Sequence, residues 1–243
     1  MKREFYGIMF VIIMSLFMFN GCVANVALKE NDRLSIRSVS VAENIHLPEN
    51  IVFQGEGEGK EATIQRGVNQ LGILGQVVGS AIIGKMTQKT GAIIKDRMKK
   101  ADINIDQMLR DQFVTDLKNS KLFNEILPDE RGESTFKFSI DRYGFNDATT
   151  ALEKIANNTI RITPIIKYAP TITVTASLVK NSDGSVLWKK ESGGNYGKSK
   201  EESLPPPYTL DEYLNDPELI RKAFTIVCGM VVQDFINDIK KEN

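Results

Sequence analysis

Histidine occurs once in the 243-residue chain, at position 46, just before Leu47-Pro48-Glu49-Asn50. With no second histidine and no cysteine cluster beside it, His46 cannot assemble the nitrogen and sulfur donors of a zinc site. A Ser-His-Asp triad would have to use this one imidazole, and no Gly-x-Ser-x-Gly elbow accompanies it. "GEGEGK" at 55–60 has the glycines of a phosphate loop but not the Walker spacing, and Glu61 follows the lysine where Ser or Thr belongs. Carboxylate pairs such as Asp129 and Glu130 fall in turns, where solvated charge is the ordinary explanation. Charge of one sign is lacking too: 31 basic residues face 31 acidic ones. There is no basic excess for phosphate contacts, so nucleic acid is not an expected partner. The balance gives no steering toward an anionic surface either. No internal repeat is present. These absences exclude the common hydrolase, metal and nucleotide chemistries and lead to the expectation of a non-enzymatic protein with no cofactor and no metal.

What the chain does have begins at its start. Lys2 and Arg3 precede an apolar run from Phe5 to Phe19, broken only by Gly7 and Ser15 and closed by Asn20 and Gly21. A charged start, a short apolar core and a small residue at the end make an export signal over residues 1–21. The run is short for a permanent span, which needs about 20 apolar residues. Phe19-Asn20-Gly21-Cys22 resembles the lipobox of bacterial lipoproteins, with Gly21 and Cys22 on the pattern and Phe19 and Asn20 off it. The resemblance implies cleavage before Cys22, lipid on its sulfur and acylation of the new amino terminus. Val23 follows where aspartate favours the inner membrane in that family, which implies the outer membrane and a periplasm-facing body. Two or more acyl chains hold a protein stably on a bilayer, at about 0.8 kcal/mol per buried CH2. Cys228 is then left without a disulfide partner, and its apolar neighbours mark it as a small buried hydrophobe.

Residues 22–33 read as a lipidated polar tether and 34–243 as one α+β domain, large enough to fold without staples. "RLSIRSVSVA" alternates and predicts a first strand with a slip near Ser38; "HLPENIVFQG" follows it. Ile105, Leu109, Phe113 and Leu117 lie four apart and predict a helix, with Asn104 at its cap. "KLFNEIL" predicts a short strand. In "TFKFSIDRY", Phe136, Phe138 and Ile140 alternate with Lys137, Ser139 and Asp141, which predicts a strand with one wet face. "TITVTASLV" and "SVLWKKE", joined across "NSDG", predict a hairpin. Trp188 reads as core or sheet cover, with a binding-site role as the sharper alternative. "SGGNYGKSKEESLPPPYTL" reads as a loop. A long helix closes the chain, with Asp216 as cap, Pro217 at its first position and a stripe of Ile220, Phe224, Val227, Val231 and Phe235, widened by Ala223, Ile226, Met230 and Val232. The expected architecture is an antiparallel or mixed sheet with two helices packed on one face.

A glycine-rich insertion at about 61–100 departs from this pattern. From Val68 to Gly84, seventeen residues carry no charge. On a helix Gly72, Gly75 and Gly79 fall within about 60° of each other. Gly75-x-x-x-Gly79 is the small-residue spacing that lets helix backbones pack closely in membranes. Each glycine costs about 1 kcal/mol relative to alanine in a helix, so a close contact should offset it. Three readings stay open: a helix packed on its own domain, a membrane-interacting or self-associating element over 67–94, and a glycine-rich loop.

The stretches "IDQMLRDQFVTDLKNSKLFNEI", "TITVTASLVKNSDGSVLWKKE" and "DEYLNDPELIRKAFTIVCGMVVQDFI", together about a third of the chain, resemble periplasm-facing outer-membrane lipoproteins. Their α/β domains are similar to the amino-terminal domain of TolB-like proteins and to transporter auxiliary lipoproteins. The resemblance implies an accessory or scaffold protein of the cell envelope, held on the membrane by Cys22. It would bind an envelope protein, or itself, through a sheet edge, the loop 193–208 or the glycine-rich segment. The alternative is an oligomeric secretion or pore component that uses 67–94 for insertion or assembly.

Overall fold

A computed structural model describes residues 25–54, 90–127, 131–148, 167–195 and 204–241. Among them the chain forms five helices and one mixed, curled sheet, an α+β arrangement. The elements are α1 (Glu30–Ser35), β1 (Ser38–Val41), β2 (Val52–Gln54), α2 (90–100), α3 (Ile105–Ser120), β3 (Glu125–Leu127), β4 (Ser134–Asp147), β5 (Lys167–Lys180), β6 (Val186–Asn195), β7 (Tyr208–Thr209), α4 (Leu210–Asn215) and α5 (Pro217–Lys240). The main sheet path is β3-β1-β4-β5-β6. β1 pairs in parallel with both β3 and the start of β4, while β2 pairs in parallel with the end of β4. β4, β5 and β6 form the antiparallel centre, and β7 joins the start of β5.

The long β4–β5 pair keeps one greasy face by means of a bulge. Phe136, Phe138 and Ile140 are buried, as the alternation predicts; the register then slips between Ile140 and Arg142, and the buried set continues as Tyr143 and Phe145. One extra residue reverses the parity of a strand, so without the slip Tyr143 and Phe145 would point to water. Asp141, the residue at the slip, is held on the wet face by Ser139 (3.1 Å) and Thr175 (2.6 Å) hydroxyls, which donate to its carboxylate. Opposite, Ile172, Val174, Ala176 and Leu178 are all buried.

The α3 stripe is buried in full: Ile105, Leu109, Phe113 and Leu117 are the buried residues of that helix. Phe113 meets Phe136 and Phe138 edge-on, with ring centroids 5.0 and 4.8 Å away. Asn104 occupies the N-cap position, but its side-chain amide donates to Asp102 (3.0 Å) and caps nothing. α5 lies against β5, β6 and α3. Its start follows the sequence: the Asp216 carboxylate accepts from the Glu218 N–H (3.1 Å), and Pro217 stands where no N–H is needed. Ile220, Phe224, Val227, Val231 and Phe235 are fully buried, whereas Met230 is 39% exposed and Ile226 is half-buried, so the stripe is narrower than expected. Trp188 is fully buried, edge-on to Phe136 and Phe235, which makes it core.

Three stretches differ from expectation. Residues 33–35 end α1, and strand geometry starts only at Ser38, because Leu34 takes no part in the alternation and is 71% exposed. β5 starts at Lys167, ahead of Pro170. The ladder to β6 ends at Thr171 and the ladder to β7 begins at Tyr168, so the proline falls between them. β6 continues through Ser192, Gly193, Gly194 and Asn195, a stretch expected to be loop. Gly194 sits hard against the α5 backbone: a Cβ there would lie 3.0 Å from the Val227 carbonyl carbon and closer still to its oxygen. The absence of a side chain is what lets the helix settle on this part of the sheet.

Candidate interaction surfaces

Of residues 22–33, read from sequence as a polar tether, the described part from Asn25 contacts the body. Val26 and Lys189 exchange two backbone hydrogen bonds (2.8 and 2.9 Å) on the outer edge of β6. The Asn25 side-chain oxygen accepts from the Glu191 N–H (3.3 Å). Leu28 joins the hydrophobic core. Contacts to β6 thus extend as far as Asn25, the first described residue, three positions after Cys22. A strand edge presents unpaired N–H and C=O groups that invite another chain, and here the protein's own first described residues occupy part of it.

Across β6 from that edge, a charged cluster ties the strand to the end of α5. The Trp188 indole N–H donates to Asp238 Oδ2 (3.0 Å). Lys190 Nζ bridges Asp234 Oδ1 (2.9 Å) and Asp238 Oδ1 (3.3 Å). The Ser192 hydroxyl donates to Asp234 Oδ2 (2.7 Å). Partial burial pushes the Asp238 carboxyl up, but the indole N–H, the Lys190 ammonium and Lys241 outweigh it and hold the group below the usual carboxylate range. Burial likewise pulls the Lys190 ammonium down, and Asp234 and Asp238 more than reverse this. A carboxylate with a lowered folded pKa stabilises the fold above its unfolded value and loses that contribution as pH falls through the folded one. Asp238→Asn is therefore expected to cost about 1–2 kcal/mol at neutral pH, the loss of a charge-assisted hydrogen bond. It should also flatten the fall in stability below about pH 4. Urea melts of both proteins from pH 7 down to pH 3 check this, and parallel curves would show that Asp238 is not linked to folding.

A groove runs between α3 and α5. One part, about 300 Å3, is lined by Met108, Asp111, Gln112, Thr115, Thr225 and Cys228. An adjoining part, about 230 Å3, shares Met108 and Asp111 and reaches Asp102 and Arg221. The Arg221 guanidinium is occupied by the Ala101 carbonyl (2.6 Å) and Glu218 (3.2 Å). The Cys228 thiol is buried and pushed up to about 12, so it is a filler and not a nucleophile. His46 is exposed, and what it contributes is its backbone: its carbonyl accepts from the Ile140 N–H (2.9 Å).

Of the residues singled out from sequence, Cys22, Gly72, Gly75 and Gly79 lie outside the described residues, as does most of 67–94. Of the loop 193–208, residues 193–195 are strand, 196–203 fall outside the described set, and Tyr208 pairs with Tyr168. Among the described residues no helix is long and apolar enough to cross a membrane. The Asn25–Val26 attachment and the Trp188–Lys190–Asp234–Asp238 cluster were not anticipated. The i, i+4 pair Asp234 and Asp238 on the last turns of α5 was the one sequence signal for the cluster, since two carboxylates on one helix face call for a cation opposite.

No protein-family model matches the chain, and no curated protein matches it. Solved structures with some likeness include XCC0632 of Xanthomonas campestris, a DUF330 protein, at 16% identity and a TM-score of 0.36 over 54% of this chain. The chain spans 58% of that protein's length. The PelC dodecamer of Paraburkholderia phytofirmans matches at 7% identity and a TM-score of 0.36, over 91% of this chain and 100% of PelC. Lipoprotein GNA1162 of Neisseria meningitidis matches at 14% identity and a TM-score of 0.26, over 84% of this chain and 97% of its own. Likenesses this distant define neither fold nor role, and the architecture of this chain stands on its own strand register and burial.

Proposed function

We propose that the chain is a lipid-anchored, non-enzymatic accessory or scaffold protein of a bacterial cell envelope, facing the periplasm from the outer membrane and acting through protein–protein contact. The observation that carries this reading is the attachment of Asn25 and Val26 to β6. Asn25 lies three residues after Cys22, so acyl chains on that sulfur would hold the body close to the membrane. α3 packs against α5, and the groove between them and the rest of the sheet edge are the contact surfaces of this reading.

The test is membrane fractionation of the wild type, Cys22→Ser and a deletion of 67–94, with mass spectrometry of the mature amino terminus. Acyl chains on Cys22 and release of Cys22→Ser as soluble protein are the expected outcome. An unmodified amino terminus would sink the lipoprotein reading. The uncharged run from Val68 to Gly84, with its three aligned glycines, favours a second reading: an oligomeric secretion or pore component. That reading moves ahead if Cys22→Ser stays in the membrane until 67–94 is also removed.

A further inference from the structure

Five large apolar side chains are exposed among the described residues, and three of them sit on adjoining segments: Val26 (37%), Leu34 (71%) and Val186 (46%). Val26 is held on β6 through Lys189, and Val186 opens the same strand. Leu34 stands on α1, which borders the start of β6. Asp32, Ser35 and Ile36 share a cavity of about 230 Å3 with Lys180 and Leu187. Single exposed hydrophobes are ordinary on any surface. Here three lie on neighbouring segments, β6 and the stretch from Val26 to α1 that borders it.

The length of chain back to Cys22 decides what covers them. Three residues separate Cys22 from Asn25, a reach of about 10 Å at full extension. One headgroup layer is about 5–7 Å thick. With acyl chains in the hydrocarbon, a body tied this closely cannot rise clear of the headgroups, and interfacial segments bury apolar side chains about 5–10 Å deep. Charge on the same segments is mixed: Lys29, Arg33, Lys180 and Lys189 against Glu30, Asp32 and Asp183. The contact is then apolar in character and largely insensitive to salt.

We infer that Val26, Leu34 and Val186 form the bilayer contact of the anchored protein, so that α1 and the start of β6 lie against the lipid headgroups. This rests on lipidation of Cys22. The experiment places single cysteines at Leu34→Cys, Val186→Cys and, as control on α2, Lys99→Cys, each labelled with an environment-sensitive fluorophore. Cys22 carries lipid in the acylated protein and Cys228 is buried, so neither competes. The acylated full chain is reconstituted in phosphatidylethanolamine–phosphatidylglycerol vesicles. Blue-shifted emission at 34 and 186, quenched by a bilayer-soluble quencher and unchanged in high salt, is the expected result, with position 99 reading as in water. Emission at 34 and 186 matching that at 99, with acyl chains confirmed on Cys22, would overturn the orientation and leave the anchor standing. Quenching at all three positions would also overturn it, because the contact would not be confined to this face. A mass spectrum without acyl chains would remove both.

Discussion

Phe113→Ala is expected to lower stability by about 3–5 kcal/mol, the range for emptying a buried aromatic site. Phe113 is fully buried on α3, and its ring is edge-on to both Phe136 and Phe138 of β4. Phe136 in turn meets Trp188, and Phe138 meets Phe235 of α5. One ring thus keys α3 to the sheet and, through two neighbours, to β6 and α5. Its removal leaves a cavity walled by strands that cannot collapse, since Phe136 and Phe138 are pinned in the β4–β5 ladder. Phe113→Leu keeps most of the volume and should cost under about 1.5 kcal/mol. Denaturant melts of both variants settle the matter, and equal losses would show that filling this site matters less than the helix around it.

Gly194→Ala should cost about 2–3 kcal/mol, the upper part of the overpacking range, whereas Gly193→Ala should move stability by no more than about 0.5 kcal/mol. The two glycines are neighbours in β6, yet a Cβ at 194 runs into the Val227 backbone of α5 and one at 193 has only the Ile172 oxygen at 3.6 Å. Backbone cannot swing aside as a side-chain tip can, so α5 would have to lift from the sheet. Such a shift should also disturb the Trp188–Asp238 hydrogen bond, which tryptophan fluorescence can follow, because Trp188 is the only indole in the chain. If the two variants melt alike, the close approach of α5 to β6 is not what sets the cost.

These two sites also mark where sequence stops being readable. The α3 stripe was legible because Ile105, Leu109, Phe113 and Leu117 are separated by polar residues, so the period stands out. β4 was legible as far as Ile140. Beyond it the slip at Asp141 reverses parity, and Tyr143 and Phe145 drop out of any simple alternation. Gly193 and Gly194 read as loop because local preference disfavours glycine in strands, and the reason for them, the α5 backbone, lies more than thirty residues away. Leu34 shows the opposite case: with Ile36 it completes an apolar alternation typical of a strand, yet it lies on α1. The same limit applies to the surfaces. Cys22 carried a local pattern, while the bonds from Asn25 and Val26 to β6 join residues some 166 apart, and no window of sequence contains both ends.

That last attachment has a mechanical side. In a body tethered at Cys22, a pull between membrane and partner would meet the Asn25–Glu191 hydrogen bond first and then Val26, where two backbone hydrogen bonds to Lys189 take the load together. Leu28, packed in the core, is the next point that can resist. With only those contacts to resist, this stretch would yield first under such a pull and lengthen the tether by a few residues, with β4, β5 and α5 still whole. Single-molecule pulling from residue 22 would record it as a small early step ahead of the main rupture.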